Sequence, residues 1–352
     1  MKVAVGLSGG VDSTLTALLL KEQGYDVVGL TMALYNNEIP NLKLTGDACY
    51  GPTEKQGIKD VQAWCKKQGI PHHVIDLSEA YKKTILKYFQ ETYLSGETPN
   101  PCIMCNAGMK FGLLVEEAHK LLDFDAFATG HYARIEKTSK GFVLMRGADT
   151  KKDQSYFLYR LNQEQLASTM FPLGQYTKAQ VRQMAKARGL VVADKPDSQD
   201  FYAGDYTDLL PVKDKEGKII MTNGKVLGTH KGFWHYTIGQ RKGLGIAYPE
   251  PLYVVGLDAH HNRVIVGTET ETKKDSCDIA KPVWSVLIQK KKEFDCLVKY
   301  RSAGQLVPAK VCLKDKNTWC VYFESAQKAL TPGQSAVFYK DDIVLGGGII
   351  CR

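Results

Sequence analysis

A short glycine-rich turn near the N-terminus constrains this chain more than any other feature. Lys2-Val3-Ala4-Val5 reads as an apolar strand, Gly6-Leu7-Ser8-Gly9-Gly10-Val11-Asp12-Ser13 as a turn, and Thr14 to Gln23 as a helix stopped by Gly24. A strand, a tight turn of small residues and a helix, in that order, open a βαβ unit. Small residues let backbone N–H groups approach an anion, and the helix N-terminus adds partial positive charge. Ser8 and Ser13 add hydroxyl donors. Asp12 places an acid where phosphate is expected, which suits a ligand to a bridging Mg²⁺. No Gly-Lys-Ser/Thr end follows, so the loop is not a Walker A motif, and the dinucleotide fingerprint is absent too. The competing reading is a tight turn that binds nothing.

The same alternation continues. Asp26–Thr31 reads as a second strand, Lys55–Gln68 as a helix with Ile58, Val61, Trp64 and Cys65 on one face, and His73–Asp76 as a third strand. Lys110–Leu122 reads as a helix, Asp125–Thr129 as a fourth strand, and Thr177 with Gln180 as a capping box. This pattern predicts an α/β fold with a doubly wound parallel sheet. Ligands of such sheets sit beyond the carboxyl ends of the strands, so Met32 and Gly130 are expected to line the loop's crevice.

Near residue 205 the pattern changes to short, glycine-punctuated β-like runs, including Val283–Ile288 and an Ile343–Leu345 run interrupted by Gly346-Gly347-Gly348. They predict small β domains or barrels, with the polar stretch Glu269–Asp278 as a linker. The expected division is 1–204, 205–272 and 273–352. The formal charge of +8 is uneven: residues 1–200 hold 24 basic and 22 acidic side chains, residues 201–352 hold 22 and 16. A basic surface for a polyanion is therefore expected in the C-terminal part. No apolar run reaches the roughly 18 residues of a membrane span, and the N-terminus lacks a signal-peptide pattern. A cytoplasmic chain with no membrane partner is expected, its nine cysteines reduced.

The Ser8–Ser13 loop after a first strand resembles the PP-loop of the ATP pyrophosphatases, which cleave ATP between the α and β phosphates and adenylate an oxygen. Further stretches narrow this: Thr98-Pro99-Asn100-Pro101-Cys102-Ile103-Met104-Cys105-Asn106 with Lys110-Phe111, Ala128 to Arg134, Lys152 to Leu158, Tyr236 to Gly245, and Thr331 to Tyr339 followed by Leu345 to Gly348. In order and spacing they resemble the tRNA-specific 2-thiouridylase family across nearly the whole chain. The resemblance implies ATP and Mg²⁺ as cofactors, an adenylated uracil attacked by sulfur, and the anticodon stem-loop of tRNA as partner. It also implies that Gly6 to Ser13 bind ATP and that Cys105 is the nucleophile facing the base. Asn100, Pro101 and Cys102 are implied to contact that base. His131, Lys152, Asp153, Gln154, Tyr300, Arg301 and Gln334 are implied to contact tRNA. Read without the family, His131 is a satisfied loop histidine and Lys152-Asp153 a solvated surface. Trp234, Tyr236 and Arg241 would either stack on RNA or belong to the core.

One departure matters. Many members of the family carry a second catalytic cysteine, and here Tyr202 occupies its place. The usual two-cysteine cycle therefore cannot run. Three replacements suit the residues: a [4Fe-4S] cluster on Cys49, Cys102 and Cys105, a persulfide on Cys102 resolved by Cys105, or a zinc site, the weakest of the three. Cys65 reads as core, and Cys277, Cys296, Cys312, Cys320 and Cys351 as buried hydrophobes. A sulfur-donor protein or a hydrosulfide source is implied. The rivals are another PP-loop adenylating enzyme on a small substrate, and a tRNA-binding protein without chemistry.

Overall fold

The structure, a computed structural model, describes residues 1–36, 39, 48–197, 200–288, 291–315 and 318–351. The chain forms two compact units. One comprises Met1–Ile85, Pro101–Asp208 and Asp341–Val344; the other comprises Leu86–Asn100, Leu209–Lys340 and the chain from Leu345.

The first unit is built on a five-stranded parallel sheet in the order His72–Asp76, Asp26–Ala33, Lys2–Gly6, Ala126–Ala128, Thr169–Met170. Val3, Ala4 and Val5 are fully buried, as expected of a parallel strand covered on both faces. Successive crossovers leave the first strand in opposite directions along the sheet, so its carboxyl end is the topological switch point. The Gly6–Ser13 turn sits there.

Helix Val11–Glu22 is buried from Ser13 to Leu20. Ala17 and Leu20 pack with Val3, Val5 and Cys65, while Val11, Leu15, Leu18 and Leu19 pack with Tyr132, Val181 and Ala185. The helix therefore lies between the sheet and helix Lys178–Ala187. That second helix opens on the expected capping box: Thr177 Oγ1 accepts from Gln180 N–H, and Gln180 answers the Thr177 N–H. Helix Glu54–Gln68 ends at Gly69, whose φ of 61° is left-handed, as glycine allows at a helix end.

Three expectations need correction. The helix expected at Lys110 already begins at Pro101, running through Pro101–Cys105, a π-helical stretch Asn106–Leu113 and Leu114–His119. Proline at a first helical position, where its missing N–H costs nothing, is the signal that was passed over. Strands Ala133–Thr138 and Gly141–Arg146 form a hairpin that the α/β pattern did not reveal. Met32 lies within the second strand, which extends to Ala33.

The second unit holds two sheets. A four-stranded one runs Tyr253–Asp258, Arg263–Gly267, Gly217–Met221, Val226–His230. The other contains Lys273–Trp284, Glu293–Lys299, Val307–Leu313, Trp319–Lys328, Ser335–Lys340 and Ile343–Ile350, and the pairing of Lys273–Trp284 with Ile343–Ile350 closes it into a barrel. Two readings fail here. Glu269–Asp278 is not a linker, because Lys273–Trp284 is a barrel strand, and Val283–Ile288 stops being strand after Trp284. Gly346–Gly348 do not interrupt the last strand. A Cβ on Gly346 would lie 2.2 Å from the Val283 carbonyl oxygen, and one on Gly348 2.2 Å from Ile279 Cγ2, so the glycines let the closing strands meet.

Gly130 is a similar close approach in the first unit. A Cβ there would lie 2.7 Å from the Asp12 carbonyl carbon and 2.8 Å from Ser13 N. Neither backbone atom can yield cheaply. We expect Gly130→Ala to lower stability by about 1–3 kcal/mol and to loosen the turn. Thermal melts should show a reduced Tm, and an unchanged Tm would contradict the packing described.

Candidate active site

The Gly6–Ser13 turn is held open as a cup. Gly9 takes a φ of 76°, which only glycine adopts freely. Ser8 N–H donates to Ser13 Oγ at 3.2 Å, and the two hydroxyls lie 3.3 Å apart. Gly10 is the N-cap of helix Val11–Glu22 and supplies no side chain to its first turn. The N–H groups there are thus left to an anion.

Asp12 does not stand alone at the mouth of this cup. Lys178 Nζ donates to both of its carboxylate oxygens, at 2.8 and 2.7 Å, and Tyr132 OH donates to Oδ1 at 2.7 Å. Lys178 Nζ is also 2.7 Å from Asp197 Oδ1. Asp197 Oδ2 accepts from Lys152 at 2.7 Å, and Arg182 stands 3.6 Å from Oδ1. Burial works against ionisation of Asp197, but hydrogen bonds and charge from Lys152 and Lys178 outweigh it and lower the carboxyl's pKa. Tyr132 is pushed the other way, by burial first and by the Asp12 charge second. Lys178 and Asp197 were not picked out from sequence. The capping box that places Lys178 one residue after Thr177 was the only signal.

The three side chains of the Lys152-Asp153-Gln154 run have partners within the protein. Lys152 pairs with Asp197. Asp153, its side chain 2% exposed, accepts from the N–H groups of Gly147 and Ser155 and from Ser155 Oγ. Gln154 brackets Tyr132, accepting its N–H at the side chain and donating its own N–H to the Tyr132 carbonyl. The run therefore braces the tyrosine that holds Asp12. His131 bonds Thr129 Oγ1 through Nδ1 at 2.7 Å and packs against Phe111 and Phe171. Burial, then the Lys110 charge, holds its pKa well below the usual range, so the ring is neutral.

Cys102 and Cys105 lie on the helical stretch that starts at Pro101, one turn apart. Both are partly exposed, yet dense surrounding protein withholds water and raises both thiols, Cys105 to about 12. Lys110 is the cation that opposes this at both. Cys49, exposed in its loop, acts electrostatically on Cys102 and Cys105, and all three act on buried Tyr81. The three thiols thus lie within electrostatic reach of one another. Among the described residues, however, no group of three His, Cys, Asp or Glu side chains is placed to hold a metal ion. Tyr202 is 2% exposed and its hydroxyl donates to Asp208 at 3.0 Å. It packs at its position as a core residue. Cys65 and Cys320 are buried as expected, whereas Cys277, Cys296, Cys312 and Cys351 are only partly so.

In the second unit, Gln334 donates to the carbonyls of Thr98 and Pro99 at 3.1 and 3.0 Å, and Thr98 N–H donates to Pro332 O. Asn100 N–H donates to Tyr88 OH. Gln334 thus fixes the backbone just ahead of Asn100. Arg301 is bonded to the Ala329 carbonyl, and Tyr300 OH to Gln327. Trp234 is buried at 8% exposure, Tyr236 is partly buried, and Arg241 is exposed.

Comparison with known proteins places this geometry. Residues 1–202 match a family model described as a tRNA methyl transferase HUP domain, 209–268 a tRNA methyl transferase PRC-barrel domain, and 274–350 an aminomethyltransferase beta-barrel domain. A curated tRNA-specific 2-thiouridylase MnmA from Endomicrobium trichonymphae is 46% identical over 356 residues, covering 99% of both chains. The chain belongs to the tRNA-specific 2-thiouridylase family. Members from Gloeothece citriformis and Aquifex aeolicus are 45% and 42% identical, each over 99% of this chain and 99% of the relative. A solved 4-thiouridine synthetase–RNA complex with bound ATP shows a partial likeness, with a TM-score of 0.36 and 15% identity over 58% of this chain and 45% of that one. No helix among the described residues is long and apolar enough to cross a membrane.

The raised thiol gives a direct test. Little Cys105 thiolate exists at neutral pH, so its alkylation by iodoacetamide should climb about tenfold per pH unit through pH 9–11. A rate already level near pH 8 would contradict the burial described.

Proposed function

We propose that this member of the 2-thiouridylase family is a tRNA sulfurtransferase that thiolates the wobble uridine at C2, using ATP in the Gly6–Ser13 cup. The observation that carries the reading is the pairing of an uncapped helix N-terminus at the sheet's switch point with a cysteine trio in the same unit. The triphosphate lies on the N–H groups of the first helical turn. Asp12 would hold a Mg²⁺, which when bound offsets the charge of the departing pyrophosphate. The uracil O2 attacks the α-phosphorus, pyrophosphate leaves, and C2 becomes electrophilic. A sulfur nucleophile then adds at C2 and AMP departs, leaving the thiocarbonyl.

Sulfur reaches C2 from the trio. With Tyr202 sealed, Cys102 carries the persulfide received from a sulfur donor. Its terminal sulfur attacks C2, Cys105 then attacks the remaining sulfur–sulfur bond, and a Cys102–Cys105 disulfide forms that an external thiol reduces. Lys110 offsets the thiolate charge at both positions. A [4Fe-4S] cluster on Cys49, Cys102 and Cys105 matches the trio chemically, but the described placement is not that of a metal site, and no step is derived through one. Asn100 and Pro101 meet the base. Tyr300, Arg301, Gln334 and the basic surplus of residues 201–352 bind the anticodon stem-loop, and the compartment is the cytoplasm. Three functional parts, 1–204, 205–272 and 273–352, belong to this reading. An adenylating enzyme for a small substrate would need neither the barrel nor that surplus.

With purified chain, ATP and tRNA, Cys102→Ser and Cys105→Ser should each reduce 2-thiouridine at least about 100-fold, read by nucleoside mass spectrometry. Full activity of Cys102→Ser would remove the persulfide route. Chain isolated without oxygen should contain no iron or acid-labile sulfide on this route; stoichiometric iron with absorbance near about 400 nm would move sulfur delivery to the cluster.

A further inference from the structure

The least expected feature of the first unit is a lysine held between two acids beside the Gly6–Ser13 cup. Lys178 is the first residue of helix Lys178–Ala187, and its N–H is also tied, to Asp149 Oδ2 at 2.9 Å. Its side chain is 10% exposed and lies 5.6 Å from the centre of the Tyr132 ring. The ammonium donates to both oxygens of Asp12 and stands 2.7 Å from Asp197 Oδ1 as an ion pair. A buried ion pair contributes little net stability, because desolvation of both partners offsets the attraction. Stability alone therefore does not account for it.

The charge arrangement does. Asp12 and Asp197 are met by three cations, Lys178, Lys152 and Arg182, close to the first helical turn at Gly10–Ser13, with the Asp149 carboxylate bonded to the Lys178 N–H. Asp197 has two other cations, whereas Asp12 has only Lys178 within ion-pair distance among the described residues. Lys178 can leave Asp12 without leaving Asp197. We infer that Lys178 is a phosphate-binding residue of the nucleotide site, stored on Asp12 until triphosphate oxygens replace that carboxylate. Asp197, supported by Lys152, is the positioning residue that keeps the ammonium at the cup. The exchange also clears both Asp12 oxygens of their lysine at the moment the nucleotide arrives. Gln154 acts one step further back, by fixing Tyr132 against Asp12.

This inference rests on the nucleotide reading above but not on thiolation, so it is tested by binding alone. Affinity of the full-length chain for α,β-methylene-ATP would be measured by equilibrium dialysis without tRNA, alongside thermal melts. Lys178→Met should weaken binding at least about tenfold, Lys178→Arg should recover part of the loss, and Asp197→Asn should weaken it about threefold. In turnover, Asp197→Asn should raise the KM for ATP and leave kcat near the wild-type value, a split that a merely structural role would not produce. Folded Lys178→Met that binds the analogue as tightly as wild type would overturn the inference. Should that variant not fold, unchanged binding in both Lys178→Arg and Asp197→Asn would overturn it equally. Wild type that binds the analogue, with the expected losses in the variants, but makes no 2-thiouridine would refute the proposed function and leave this inference standing.

Discussion

Helix Val11–Glu22 is buried on nearly every side, and the arrangement of the first unit follows from that. One flank packs on the parallel sheet and the other on helix Lys178–Ala187. Its N-terminus is consequently fixed at the switch point, with Gly130 pressed against the Asp12–Ser13 backbone. The second flank brings Lys178 over Asp12. Apolar packing thus sets the position of a charged network that supplies little stability itself. Both the anion cup and the charges that answer it depend on one helix being sandwiched.

The alternation of strands and helices was legible because parallel strands buried on both faces are written as continuous apolar runs, such as Val3-Ala4-Val5. The Thr177–Gln180 cap was legible because its hydrogen bonds are local. What escaped was non-local. Lys273–Trp284 looks polar because a barrel strand keeps one face in water, so half its residues read as linker. Gly346–Gly348 looked like a break, yet the glycines are required by strands more than 60 residues away in sequence, Ile279 and Val283 among their neighbours. The Asp12–Lys178 pair spans 166 residues, and no spacing rule reaches that far.

The site was legible by type more than by role. The cup, Asp12 and the Cys49, Cys102 and Cys105 neighbourhood were read from residue chemistry. The partners of Lys152, Asp153 and Gln154 within the protein were not, because a charged run reads as surface until its partners are known. Gln334 is similar: its side-chain amide donates to the Thr98 and Pro99 carbonyls. In both cases side chains that the family resemblance assigns to RNA also bond to the protein's own groups. Tyr202 carries the opposite lesson. Its identity alone announced that the usual second thiol was missing, and in the fold it is a buried tyrosine bonded to Asp208.

The central claim is that this chain places sulfur on tRNA. The most direct measurement is nucleoside mass spectrometry of total tRNA from cells that lack it, beside cells in which the gene has been restored. The account predicts that 2-thiouridine derivatives at the wobble position disappear in the first and return in the second. Unchanged 2-thiouridine in cells lacking the chain would contradict it.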